Sequence, residues 1–177
     1  MTKAVPINQP EKDNPLWQQL LSELVKMFAG NLELVFPRVW NQQCFSLFKS
    51  IEEYAFRQEL RYSYGEIAKI LENPDLVFYF VTVDSEPQIL LLGYSIPNEG
   101  AKAFYLDTLA VRRRGEGIGH IVMSFLIRWA RTKHFNAIIL ETEAIDEKGF
   151  ILPQFYAKHG FEVIAKTEVN ITMKCVL

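Results

Sequence analysis

The chain has 177 residues, of which 49% are hydrophobic and 23% charged, with a formal net charge of -2. A chain of that length can bury a core without disulfides or metal, and that composition excludes a disordered or low-complexity chain. The near-neutral balance, with a pI near 6.0, excludes a general basic surface, so nucleic acid is not an expected partner. No apolar run reaches the length of a membrane span, so no membrane association is expected. The N-terminal stretch carries Pro6, Pro10 and mixed charge without a signal-peptide core, which leads to an expected cytoplasmic location. Cys44 and Cys175 lie far apart without a CxxC partner and read as buried free thiols. His120, His134 and His159 show no ligand spacing, so no metal site is expected.

Residues 1–13 read as a flexible arm and residues 14–177 as a single domain. Asn14 followed by Pro15 marks a helix start. Leu16, Leu20, Leu24 and Met27 then recur at helical spacing, with Gly30 as a stop, which gives an additional N-terminal helix within residues 14–30. Residues 32–39 read as a strand, and residues 43–57 as a helix carrying Phe45, Phe48, Ile51, Tyr54 and Ala55. A second helix covers residues 64–71 and is ended by Asn73-Pro74-Asp75.

Three apolar runs at residues 76–83, 89–96 and 103–111 are separated by short turns, the signature of an antiparallel meander. A helix over residues 117–133 presents Ile118, Ile121, Val122, Phe125, Leu126 and Trp129 on one face. The strand at 137–142 follows it, and this strand–helix–strand order implies one parallel pairing. A helix over 150–158 and strands at 161–166 and 169–176 complete the chain. The fold class is therefore α+β, a mixed and mostly antiparallel sheet flanked by helices.

Within residues 103–111, Phe104 and Leu106 share one parity while Leu109 and Val111 have the other. A β-bulge near Asp107-Thr108 explains the change of phase, and a strand buried on both faces would look similar. A bulge would splay this strand from its neighbour and leave the backbone of Leu109, Ala110 and Val111 open to a ligand.

The segment Arg112-Arg113-Arg114-Gly115-Glu116-Gly117-Ile118-Gly119 then joins a strand to a helix. Alternate glycines bring backbone N–H groups together beside the positive end of the helix dipole, which suits a diphosphate. Arginines there can add charge-assisted contacts. Gly119 is followed by His120 and not by Lys-Ser/Thr, and His120 stands where a dinucleotide fingerprint needs its third glycine. Those mismatches disfavour a kinase or dehydrogenase.

Arg114-Gly115-Glu116-Gly117-Ile118-Gly119 resembles the Arg-x-x-Gly-x-Gly acyl-CoA signature of the GNAT (Gcn5-related) N-acetyltransferases. Phe155-Tyr156-Ala157-Lys158-His159-Gly160-Phe161 is similar to that family's late aromatic block, and Gly93 stands where the family often has a glycine in its third strand. The resemblance spans about residues 32–177. It implies a GNAT-like fold and transfer of an acetyl group from acetyl-CoA to a primary amine by direct attack.

Acyl-CoA contacts are then expected along Leu109, Ala110, Val111, Arg112, Arg114, Gly115, Glu116, Gly117, Ile118, Gly119 and His120. Tyr156 takes the family's position for the acid that protonates the departing thiolate. The loop from Val111 to Arg114 is shorter than is usual in the family. Lys148-Gly149 stands where the family often has an asparagine, so that contact is not carried over.

Amine acylation also needs a base, and Asp107 and Glu143 are the candidates at strand positions bordering the cleft, ahead of Glu141. The acceptor, a small-molecule or peptide amine, is expected near Phe56, Arg57, Arg61 and Tyr62. Glu52, Glu53 and Glu59 form either a solvated helix face or a cation-attracting one. A non-catalytic acyl-CoA-binding module on the same fold is the alternative function, and the oligomeric state is expected to be monomer or homodimer.

Overall fold

The structure, a computed structural model, describes residues 4–9, 14–146 and 148–177. In chain order the elements are β1 (Val5–Pro6), α1 (Pro15–Leu24), β2 (Leu32–Val35), β3 (Val39–Trp40), α2 (Gln42–Ala55) and α3 (Tyr64–Ile70). They continue with β4 (Val77–Val83), β5 (Glu86–Asn98), β6 (Ala101–Val111), α4 (Ile118–Thr132), β7 (Ala137–Thr142), α5 (Leu152–Ala157), β8 (Glu162–Lys166) and β9 (Ile171–Val176).

Side-chain caps set the first three helix starts. Asn14 accepts from the Leu16 N–H and Asn41 from the Cys44 N–H, and Ser63 and Glu66 form a reciprocal capping box. Each such cap is worth about 1 kcal/mol. The α1 helix ends at Leu24, well before Gly30, so Met27 and Phe28 pack against the core from a turn.

The expected strand at 32–39 is two strands. Pro37 interrupts it, because proline donates no ladder hydrogen bond. β2 joins the main sheet, while β3 pairs with β1. Residues 4–9 are correspondingly not a free arm. Ile7 is buried, the Gln9 side chain donates to the Pro37 carbonyl, and its Oε1 accepts from the Phe78 N–H at 2.8 Å. The rest of the expected arm, residues 1–3 and 10–13, lies outside the described residues.

The main sheet has the order β2-β4-β5-β6-β7-β9-β8, antiparallel except for the β6–β7 pair. Strict alternation along β4 and β5 sends Val77, Tyr79, Val81, Ile89 and Leu91 to one face and Phe78, Phe80, Leu90 and Leu92 to the other. The first face is covered by α1 and α4, which contribute Trp17, Leu20, Leu126 and Trp129. The second is covered by α2 and α3, which contribute Phe48, Ile51 and Ile67.

The bulge lies where the phase change puts it. Leu92 pairs with Thr108 and Gly93 with Leu106, which leaves Asp107 as the extra residue of β6. In consequence Phe104, Leu106, Leu109 and Val111 all pack into the same cluster despite their opposite parities. Gly93 sits directly at this irregularity. A Cβ there would lie 2.5 Å from the Phe104 ring and 2.6 Å from the Tyr105 carbonyl oxygen.

Candidate active site

β6 pairs with β7 only from Ala103–Ala137 to Leu106–Leu140. Beyond the bulge the two strands part, and the β6 backbone from Asp107 to Val111 has no ladder partner on the β7 side. This gap opens into a cleft of about 680 Å³. Its floor includes Leu109 and Val111, one wall carries Glu141 and Glu143, and its ends are closed by the α4 N-terminus and the segment after α2. Ala110 lies in the same strand but turns its side chain into the cluster under α2, so only its backbone is available to the gap.

The α4 N-terminus is uncapped and opens on the cleft. Gly117 caps it at φ 83°, a backbone conformation that glycine adopts without a Cβ penalty. No side chain caps the helix, and its first turn holds no acidic residue. The first N–H groups, at Ile118, Gly119 and His120, therefore have no partner within the helix, and they stand beside the positive end of a 15-residue dipole. Gly115, Gly117, Gly119 and His120 line the cleft, whereas Glu116 and Ile118 do not, Ile118 being buried in the core. These groups fit a diphosphate. At Gly119 a Cβ would meet the Phe155 ring at 3.1 Å, so glycine there lets α5 approach.

The three arginines are placed differently from the expected row of phosphate contacts. Arg112 does not line the cleft. Its guanidinium donates to the Ser50 carbonyl of α2 and lies over the Tyr54 ring. Arg113 borders the cleft but pairs with Glu116 and donates to the Met27 carbonyl, which ties the glycine turn to the turn after α1. Arg114 does line the cleft, paired with Asp146 and donating to the Ala55 carbonyl at 2.9 Å. The side chains spread because consecutive residues leaving a strand point to opposite faces.

The two candidate bases meet different environments. Asp107 is half-buried at the cleft. Burial raises its pKa, while hydrogen bonds from Thr108 and Tyr62 act in the opposite direction. Glu143 forms an ion pair with Arg57 across the cleft. Tyr156 lies among Phe155, Phe161 and the Arg114 charge. Burial pushes its phenol up to about 12, partly offset by Arg114, so it carries its proton at neutral pH. Burial likewise pushes the Cys44 thiol up to about 12, which leaves it thiol and not thiolate. Cys175 is also buried and unpaired.

Of the residues expected near an acceptor, Phe56, Arg57 and Tyr62 line the cleft, but Arg61 does not. Arg61 donates to the carbonyls of Phe56 and Glu53, satisfying the C-terminal end of α2. Glu53 and Glu59 are exposed, whereas Glu52 is 1% exposed and belongs to the cleft wall.

Several site residues carried no sequence signal of their own. Tyr105 is the exception, since it lies two residues before Asp107 on the same strand, a spacing that would have identified it. Asp146 is 8% exposed at its side chain and sits in a loop. His120 and His159 meet at 2.8 Å across 39 residues of chain, a contact that no spacing rule detects. Among the described residues no cluster of three or more His, Cys, Asp or Glu side chains could hold a metal ion.

The sequence profile described as "Acetyltransferase (GNAT) family" matches residues 38–161. No curated protein matches the chain in sequence. Solved structures of the same fold include a chain of the NatC complex bound to Gag peptide and CoA, at a TM-score of 0.67 and 18% identity, covering 83% of this chain and 99% of that one. They also include the ribosomal-protein-S18-alanine N-acetyltransferase of Escherichia coli, at 0.63 and 14%, covering 82% and 94%. A third is the PaiA N-acetyltransferase of Thermoplasma acidophilum in complex with coenzyme A, at 0.59 and 15%, covering 83% and 99%.

Proposed function

The chain belongs to the acetyltransferase (GNAT) family, and on that premise we propose that it transfers an acetyl group from acetyl-CoA to a primary amine of a small molecule or peptide. The observation that carries this reading is the combination of an uncapped α4 N-terminus with a desolvated carboxylate on the bulge of the parted strand, both lining one cleft.

When bound, acetyl-CoA supplies the thioester that an amine attacks. The N–H groups of Gly117, Ile118, Gly119 and His120 hold its diphosphate, and the dipole of α4 favours that charge. Unpaired backbone of Leu109–Val111 binds the pantetheine arm, and an N–H of this stretch stabilises negative charge as it develops on the acyl oxygen. Asp107 takes the proton of the incoming amine. Its burial makes it a stronger proton acceptor than a solvated carboxylate. Tyr156 keeps a proton at Oη for the departing sulfur. Glu143 is occupied by Arg57 and serves the acceptor wall in preference to base chemistry.

The test is thiol release from acetyl-CoA against a panel of amino acids, polyamines and peptides, with mass spectrometry of the products. Amine acetylation well above background is expected, falling by roughly 100-fold or more in Asp107→Asn. Tight acetyl-CoA binding with no amine acetylated across the panel would mark a non-catalytic acyl-CoA-binding chain instead.

A further inference from the structure

We infer that Tyr62 is a positioning residue that orients the Asp107 carboxylate, and that the buried carboxylate of Glu52 holds Tyr62 in place. The inference rests on the reading of Asp107 as the base. It begins at Glu52, whose two oxygens are both engaged: Oε2 accepts from Lys49 Nζ at 2.7 Å and Oε1 from the Tyr62 N–H at 2.6 Å. A charged side chain only 1% exposed is costly unless it is paired in this way. Glu52 thereby draws the chain between α2 and α3 back against α2, and Arg61 adds two more ties through the carbonyls of Phe56 and Glu53. The backbone of Tyr62 is thus held at the cleft wall.

From that anchor the Tyr62 hydroxyl donates to Asp107 Oδ1 at 3.2 Å. Thr108 Oγ1 donates to the same oxygen at 2.9 Å. An ionised carboxylate only accepts, so both hydroxyls are donors here. Two donors on Oδ1 leave Oδ2 without a side-chain partner among the described residues, and Oδ2 is the oxygen available to take a proton. Packing alone explains the ring of Tyr62 but not its hydroxyl contact with the half-buried Asp107 carboxylate, nor the buried Glu52 that fixes its backbone.

The other titratable groups facing Asp107 are Tyr94 from β5 and Tyr105 from β6, both kept as neutral phenols by burial. Glu141 of β7 acts on Tyr105, and the Arg57–Glu143 pair lies across the same cleft. None of these donates a hydrogen bond to Asp107 among the described residues. Among the described residues, Tyr62 is therefore the donor that reaches it from outside β6.

The experiment is a carboxyl ¹³C NMR titration of the full chain labelled at aspartate, with Asp107→Asn used to assign the Asp107 signal. It needs no acceptor amine, so its outcome is separable from that of the transfer assay. Removing a donor from the charged form raises a carboxyl pKa, so Tyr62→Phe moves the Asp107 midpoint upward. Glu52→Ala moves it in the same direction, and Glu52→Gln, which keeps an oxygen for the Tyr62 N–H, brings it back toward wild type. In turnover of the best amine of the panel, Tyr62→Phe shows a deficit on the order of tenfold near neutral pH that closes as the pH is raised.

An unchanged midpoint in a folded Tyr62→Phe protein overturns the positioning role while leaving Asp107 as the base. Full turnover in Asp107→Asn overturns the base reading and this inference with it.

Discussion

Nδ1 of His120 lies 2.8 Å from Nε2 of His159, with the ring centroids 4.9 Å apart and the Phe155 ring against both. One ring must donate and the other accept, so the pair is built for at most one extra proton. Burial lowers the pKa of His159, and the charge of His120 lowers it further. The unfolded chain then binds a proton at His159 more readily than the native one does. Stability from this contact is present above the unfolded value of 6.5 and is lost as pH falls through the lower folded value. The melting temperature is expected to drop between pH 7.5 and pH 5, and to drop less steeply in His159→Gln. Parallel melting curves of the two proteins over that range would contradict the assignment.

Gly93 faces the bulge, where an added Cβ meets both a ring and a backbone oxygen. A ring can turn, but the Tyr105 carbonyl belongs to the strand that carries Asp107. Gly93→Ala is therefore expected to destabilise the chain by about 1–3 kcal/mol, as overpacked sites do. Urea unfolding measures this, and a change within about 0.5 kcal/mol would mean that the bulge yields freely.

Gly117 holds φ 83°, and nothing lies within 4 Å of an added Cβ. A valine there adds left-handed strain of roughly 1–2 kcal/mol and places its branch at the start of α4. The variant is expected to fold, by circular dichroism, and to lose acetyl-CoA affinity by at least roughly tenfold, a cost of about 1.4 kcal/mol. Undiminished calorimetric affinity in the folded variant would show that the diphosphate binds elsewhere.

Tyr156→Phe separates binding from chemistry. The phenol keeps its proton up to about pH 12, so the variant removes a donor without altering charge at neutral pH. An acid acts mainly in the transition state, so kcat is expected to fall by roughly 100-fold while the Kd for acetyl-CoA stays within about a factor of three. Equal turnover, with chemistry shown to limit the rate, would remove Tyr156 from the mechanism.

The periodicities that defined the sheet are local properties. The apolar runs within residues 76–111 and the 3.6-residue stripe of 118–129 are visible in the chain itself, and these elements formed near their expected limits. The phase change at Asp107 was legible for the same reason, since a bulge is the local means of rotating a strand by one residue. What misled was equally local. The run 32–39 has strand composition throughout, and Pro37 divides it. The helix at 150–158 shortens to Leu152–Ala157, because Ile151 and Ile145 form an isolated bridge.

By itself, then, the sequence determined the α+β class, the series of elements, the change of phase within β6 and the glycine turn that opens α4. Each of these follows from neighbours within a few residues, through steric limits on φ, side-chain alternation and unpaired helix-end N–H groups. The tertiary structure alone decided where the charges meet. Arg114 goes to Asp146, Arg57 to Glu143, Glu52 to the Tyr62 backbone, Tyr62 to Asp107 and His120 to His159. A long polar side chain has several partners within reach, and burial chooses among them, because each group taken from water must find a partner in whichever element packs against it.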